Sequence, residues 1–283
     1  MSHLINSIRL GNTDLLNRSV GNIDQVQSIR THAFNGSFIA CYPVAEDPNA
    51  ESSEEVFTGN VVIYPQNPLN NSYTQTTIKE IEDYGSLDFP LDSAWNPFNR
   101  RYWIADAGNG NVISLNSTDN SFIRAVEGFT LPHSIMLNRN NKTIFVKSFV
   151  DENTQKITQI DNLGEILFEF EFPGRIPSTE IKYNTNFLKE IPKYFTMDYD
   201  TNLNRLWFVS EAILYMIDFD TNQITENDLE SIWLNKLTCV SVDRSSGNAF
   251  VIINDRVNYY IHQIFRDNNL LLGTAYLKEQ PLI

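Results

Sequence analysis

Residues 102–116 read YWIADAGNGNVISLN, two apolar runs on either side of a polar knot, DAGNGN. The knot has two readings. It is either a glycine loop that cradles a phosphate or a corner between two strands. A phosphate loop needs GxGxxG or GxxxxGK[ST] spacing and a helix whose N-terminus faces the anion. The knot has neither spacing, and the apolar run after it, Val112–Leu115, is short and rich in β-branched residues. The corner reading is the stronger one. Asp106 is expected to accept hydrogen bonds from the amides that follow, and Gly108, Gly110 and the asparagines tolerate the left-handed backbone of a tight turn.

The same pattern recurs along the chain. Segments beginning at Pro90 (PLDSAWNPFNRRYWIAD), Pro132 (PHSIMLNRNNKTIFVKS), Pro192 (PKYFTMDYDTNLNRLWFVS) and Leu237 (LTCVSVDRSSGNAFVIIN) each read as strand, polar turn, strand. The residues that open the turns are Asn96, Asn138, Asp198 and Asp243. Second strands are predicted at 102–105, 144–147, 206–210 and 249–253, third strands at 111–115, 156–160, 214–219 and 258–265. Fourth strands are predicted at 121–126, 166–172, 223–228 and 270–277. An earlier, degenerate unit holds VQSIRTHAFNGSFIACYP, with Asn35-Gly36 as its hairpin signal, then NVVIYP and TQTTIKEIE.

A period of about 40–45 residues with four strands per unit is the mark of a propeller blade. The predicted fold is all-β, a β-propeller of four-stranded antiparallel blades, five in number, or six if residues 1–22 contribute. The units run over about 23–86, 87–130, 131–172, 191–232 and 235–279, as one domain of residues 23–283. Residues 1–22 form an arm or a closing strand, and 173–190 interrupt the period as an insertion. Each such sheet has two apolar faces, and packing against neighbours buries both.

RYWIADAGNGNVISLN resembles the NHL-type propeller repeat, whose second strand ends in Ala-Asp before a Gly/Asn corner. The resemblance is clear over residues 88–128 and extends to the lactonase-like propellers as an architecture. It implies a fold and not a function.

Composition narrows the function classes. The 283 residues are 42% hydrophobic and 12% aromatic, enough for a large core, and the formal net charge is −14. That charge argues against nucleic acid as a partner and for partners with basic patches. The two cysteines, Cys41 and Cys239, sit in apolar strand-like runs and read as buried small hydrophobes. No signal peptide and no apolar run of membrane-spanning length is read, so the expected setting is cytoplasmic or virion-associated.

Candidate chemistry is sparse. Loops leading into the first strands carry Asp88, Asp92, His133, Lys193, Tyr194 and Lys236, a mixed set. LPHSIMLN resembles the Pro-His-Ser/Gly-Ile element of zinc-containing amidating lyases, which makes His133 a weak metal candidate. The matching residues of other units are Leu91, Lys193 and Thr238, so the histidine trio of that family is missing. Asp92, Asn138, Asp198 and Asp243 echo the carboxylate and amide set that holds a cation in lactonase-type propellers. Asp92 is the second weak metal candidate. No catalytic residue or cofactor is assigned; calcium or zinc belongs to the rival reading alone.

The leading reading is a non-enzymatic binding or assembly module. Its composition suits a structural or accessory component of a phage or virus particle, or of another large complex. Protein partners would dock through loops 43–60 and 173–190 and the N-terminal arm. The docking candidates are Glu46, Asp47, Glu51, Glu54, Glu55, Arg175, Lys182 and Lys189. The rivals are a metal-dependent hydrolase or lyase acting on a small lactone, glycan or peptide, and a carbohydrate-binding adhesin. The adhesin requires exposed tryptophans among Trp95, Trp103, Trp207 and Trp233.

Overall fold

The structure, a computed structural model, describes residues 28–31, 38–45, 58–64, 76–174, 197–211, 213–228, 236–243, 245–254, 259–264 and 271–277. These residues form strands, turns and extended links, with no helix among them. No described helix is therefore long and apolar enough to cross a membrane. Five four-stranded antiparallel sheets account for most of the strands.

The first sheet joins β1 (Ser28–Thr31), β2 (Phe38–Ala45), β3 (Thr58–Tyr64) and β4 (Thr76–Ile78) in chain order. A two-stranded hairpin follows, β5 (Glu80–Ile81) and β6 (Gly85–Ser86). The second sheet is β7 (Pro90–Asn96), β8 (Arg101–Asp106), β9 (Asn111–Asn116) and β10 (Phe122–Val126). The third is β11 (Thr130–Asn138), β12 (Thr143–Phe149), β13 (Thr154–Ile160) and β14 (Ile166–Pro173). The fourth is β15 (Met197–Asp200), β16 (Arg205–Ser210), β17 (Ile213–Asp218) and β18 (Gln223–Asp228). The fifth is β19 (Lys236–Asp243), β20 (Asn248–Asn254), β21 (Tyr259–Ile264) and β22 (Leu271–Leu277). Every strand expected from the repeat is present, within one or two residues at most ends. The hairpin β5–β6 was not expected.

In the second to fifth sheets one corner is used over and over; the Asn35-Gly36 turn expected in the first lies outside the described residues. Asn96 Oδ1 accepts the amide of Phe98 at 3.0 Å, and Asn138 Oδ1 accepts that of Asn140 at 3.0 Å. Asp200 Oδ1 accepts from Asn202 at 2.9 Å, and Asp243 Oδ1 from Ser245 at 3.0 Å. The fourth residue after each of these caps is left-handed: Arg100 (φ 54°), Lys142 (φ 65°), Asn204 (φ 53°) and Gly247 (φ 73°). The second strand starts at the next residue. The side-chain oxygen closes an Asx turn, and the left-handed residue turns the chain back into register.

The repeat corrects one alignment. Asp200, not Asp198, opens the fourth sheet's turn. Asp198 lies inside β15, paired with Trp207. The sequence Asp198-Tyr199-Asp200 puts both carboxylates on one face of the strand, and only the capping bond distinguishes them.

The described residues group into two compact units. One comprises those up to Leu137 with Ile144–Val150 and Lys156–Phe170. The other comprises Asn138–Thr143, Asp151–Gln155 and those from Glu171 onward. Within the first unit, Ile39, Cys41, Val61 and Ile63 pack with Tyr102, Ile104, Ile113 and Leu115 in one apolar cluster. Trp103, Ala105 and Val112 pack with Ile135, Ile144, Val146 and Ile160 in a second cluster. Alternate residues of β8 therefore serve opposite faces of one sheet, as the two-residue period of a strand requires. In the second unit, Trp207, Val209 and Leu214 pack with Val240, Val242 and Val251.

Candidate functional site

The polar residues singled out by sequence fall into three groups by what they bond. The first is Asp92, in β7 and 4% exposed. Its Oδ1 accepts the amide of Ser93 at 2.9 Å. Its Oδ2 accepts the amide of Ile135 at 2.9 Å and the Ser134 hydroxyl at 3.3 Å. Both oxygens are thus engaged with backbone and hydroxyl donors, two of them on the first strand of the following sheet. Asp198 repeats the device inside the second unit. Its Oδ1 takes the amide of Tyr199 at 2.8 Å, and its Oδ2 takes the amide of Val242 at 2.8 Å and the Ser241 hydroxyl at 3.5 Å. In each unit a carboxylate, buried at Asp92 and half-buried at Asp198, stitches one first strand to the next. The bonds give acceptors to amides of the neighbouring sheet's first strand.

The four members of the lactonase-like set therefore do different work. Asn138 and Asp243 cap corners; Asp92 and Asp198 stitch strands. This differs from the expectation that Asp198 opens a turn and that Asp92 lies on a loop leading into a first strand. Asp243 is held to about 2 by the Ser245 hydroxyl and amide and the Ser246 hydroxyl, so its charge is spent on its own turn. Among the described residues, no group of three or more His, Cys, Asp or Glu could hold a metal ion. His133 lies in β11, half-buried, with its ring 5.1 Å from that of Phe149. The stitch to Asp92 is made by Ser134, the next residue, whose side chain points to the other face of the strand.

The knot itself is a corner of the common type. Asp106 opens it, Gly110 is its left-handed fourth residue (φ 67°), and β9 begins at Asn111. Asp106, fully buried, accepts Tyr84 Oη at 2.6 Å, Asn109 Nδ2 at 2.8 Å and the amide of Asp88 at 2.8 Å. Two of these donors come from residues well before the corner, not from the amides after it. Asn111 Nδ2 donates to the same tyrosine oxygen at 3.1 Å. Burial raises the Asp106 carboxyl to about 6, although the Tyr84 and Asn109 side chains and the Asp88 amide pull it down. A Cβ at Gly110 would stand 2.7 Å from the carbonyl oxygen of Phe129, and one at Gly108 would stand 2.3 Å from the Asp88 carboxylate. Both glycines exist to admit these close neighbours. No phosphate cradle is formed.

Lys147 gives no signal in the sequence pattern. It occupies β12, 2% exposed, at the place in the repeat where β8 has Ala105 and β16 has Val209. Burial lowers its ammonium to about 7. Buried polar side chains share its sheet, among them Ser148, Gln155, Thr158 and Gln159.

Trp103 and Trp207 are fully buried, and Trp95 is partly buried against the first apolar cluster. The two buried rings offer no open sugar-stacking face. Trp233, Lys193 and Tyr194 lie outside the described residues. So do the docking candidates Glu46, Asp47, Glu51, Glu54, Glu55, Arg175, Lys182 and Lys189, and residues 1–22. Lys236 opens β19.

No protein-family model matches the chain. No curated protein matches it either. Solved structures do. The chain is similar to the β-propeller domain of Cps50 (Swd1) from Myceliophteria thermophila, at 14% identity and a TM-score of 0.55, covering 88% of this chain and 72% of that one. It is similar to Sqt1 from Saccharomyces cerevisiae at 10% identity and a TM-score of 0.61, covering 89% of this chain and 61% of that one. The dihydro-heme d1 dehydrogenase NirN, solved in complex with DHE, matches at 12% identity and a TM-score of 0.58 over 89% of this chain and 47% of its own. These neighbours are β-propeller proteins. The likeness shows the fold, an all-β assembly of four-stranded antiparallel sheets of the propeller type. One of the three is named as an enzyme, so the fold does not choose between catalysis and binding.

Proposed function

We propose that the chain is a non-enzymatic β-propeller that serves as a binding or assembly module. One observation carries this reading. The polar groups that repeat from sheet to sheet are consumed by the scaffold. Asp92 and Asp198 stitch first strands, Asn96, Asn138, Asp200 and Asp243 cap corners, and Asp106 is buried under Tyr84 and Asn109. A catalytic carboxylate needs an oxygen facing substrate or metal. Each of these has an oxygen on an amide, a hydroxyl or a side-chain NH2, and the second oxygen of Asp200 is enclosed inside the fold.

The finer reading has five blades closing into a ring, within one domain of residues 23–283, and partners held by segments that break the repeat. Those segments are 43–60, 173–190 and the N-terminal arm. The role we assign is structural or accessory, in a phage or virus particle or another large complex. Placement in the NHL-like branch rests on the Ala105-Asp106 corner.

The test is elemental analysis with native mass spectrometry on protein purified without chelator, followed by cross-linking to whatever co-purifies. A metal-free protein that is recovered in a complex with another protein is the expected result. Stoichiometric calcium or zinc, lost together with an Asp92→Asn or His133→Ala substitution, would replace this reading with the metal-dependent hydrolase or lyase.

A further inference from the structure

We infer that β14 is a docking edge for an extended segment of another protein, one that alternates apolar residues with lysine or arginine. The inference rests on the binding-module reading and gives it a place and a partner chemistry. β14 is the last strand of its sheet and eight residues long. Ile166 is 56% exposed, Leu167 55%, and Leu163 on the corner before them 61%; half of the exposed large hydrophobics among the described residues thus lie in one short stretch.

Three other outer strands present less apolar surface. β10 is half-buried throughout and broken by a bulge between Phe122 and Arg124. β4 is three residues long and buries Ile78. β18 exposes a single large apolar side chain, Ile224. Charge, bulges and brevity are the usual protections of an edge; β14 has Pro173 at its end and the charges of Glu169 and Glu171 on one face, and leaves Ile166 and Leu167 exposed.

The two faces of β14 say what would fit. Ile166, Phe168, Phe170 and Phe172 alternate on one face, which becomes more buried toward Phe172, packed on Phe208 and Tyr215 at 4.8 and 5.4 Å. The other face carries Leu167, Glu169 and Glu171, with Glu165 just before the strand, and all four are exposed. Glu169 already binds Lys156 at 2.6 Å, which shows that this face accepts a cation from an adjacent strand. An added strand continues both faces, with apolar side chains beside the phenylalanines and cations beside the glutamates.

A second copy of this chain fits badly. Any antiparallel register that keeps the phenylalanine face continuous gathers both copies' glutamates on the other face, and each copy brings a net charge of −14. The partner is therefore basic on that face.

The probe is a labelled synthetic peptide of alternating valine and lysine, about as long as β14. Its block isomer, with the valines together and the lysines together, is the comparison. Fluorescence anisotropy on the full chain is expected to show saturable binding of the alternating peptide, at least about tenfold tighter than the isomer. Ile166→Asp, and separately Glu165→Lys with Glu171→Lys, are each expected to weaken it by about tenfold or more. Ile224→Asp on β18 leaves it unchanged, and thermal unfolding confirms that each variant is folded. Equal binding of the isomer, or unchanged binding by both β14 variants, overturns the inference. So does a dimer that Ile166→Asp dissociates, or a cross-link placing residues 175–196 of the same chain on β14. A protein partner cross-linked only to other surfaces also overturns it, while leaving the binding-module reading intact.

Discussion

Replacing Lys147 by methionine is expected to make the protein more stable, by an amount that depends on pH. Lys147 is 2% exposed and its ammonium is lowered to about 7 by burial. In the unfolded chain a lysine titrates near 10.4. Between these values the unfolded state binds a proton that the folded state does not, so stability rises with pH from about 7 to about 10.5. Below pH 7 both states are protonated, and the whole cost of burying the charge is present. At about 1.4 kcal/mol per pKa unit, the cost is at most about 5 kcal/mol. Methionine keeps the unbranched length and drops the charge, at a site where the repeat elsewhere holds Ala105 and Val209. Urea denaturation of both proteins at pH 6 and at pH 10 measures the effect. The variant should be more stable at pH 6, by several kcal/mol, and the two should converge at pH 10. A variant that is less stable at pH 6, or a difference that is the same at both pH values, would refute the argument.

The stitches make a second test. Asp92→Ala leaves the buried Ile135 amide without its acceptor and should cost about 2–3 kcal/mol by urea denaturation; Asp198→Ala should do the same to Val242. A loss under about 0.5 kcal/mol for either would mean that the stitch contributes nothing. Gly110→Ala should destabilise by more than about 1 kcal/mol, because φ is 67° and the Phe129 carbonyl stands 2.7 Å from the new Cβ. Arg100→Gly, in the same left-handed place of another corner, should be tolerated to within about 1 kcal/mol in the same assay. Asp106→Asn tests the raised carboxyl. The fold favours the protonated form, so the wild-type residue loses stability as pH climbs from about 4 to about 6, by at most about 3 kcal/mol. The wild-type minus variant difference should fall across that window; a flat difference would show that the carboxyl is not raised.

The strands were legible because each needs only a short apolar run and a polar corner, and both are local. β5 and β6 were not, since two residues cannot display a period. The fourth sheet's corner was misplaced by two residues because Asp198 and Asp200 share a face and differ only in which one caps. The partners of Asp106 were hidden for a different reason. Tyr84 lies 22 residues upstream, and nothing local links the two before the chain folds. Lys147 was hidden because a lysine in an apolar run reads as a residue at the surface end of a strand, and only packing shows that it is enclosed. The candidate site suffered most, because the sequence names carboxylates but not which donors will occupy them.

The recurring corner has a consequence for how this fold can be recognised. It fixes one oxygen-bearing side chain and, four residues on, one backbone conformation that Arg100, Lys142, Asn204 and Gly247 all adopt. Very little of the alphabet is constrained. The strands between corners require only short, largely apolar runs, since both faces of the central strands are buried. Such a chain can exchange nearly every letter and still return to the same register. That degeneracy accounts for a likeness of fold visible at a TM-score of 0.61 while only 10% of positions agree.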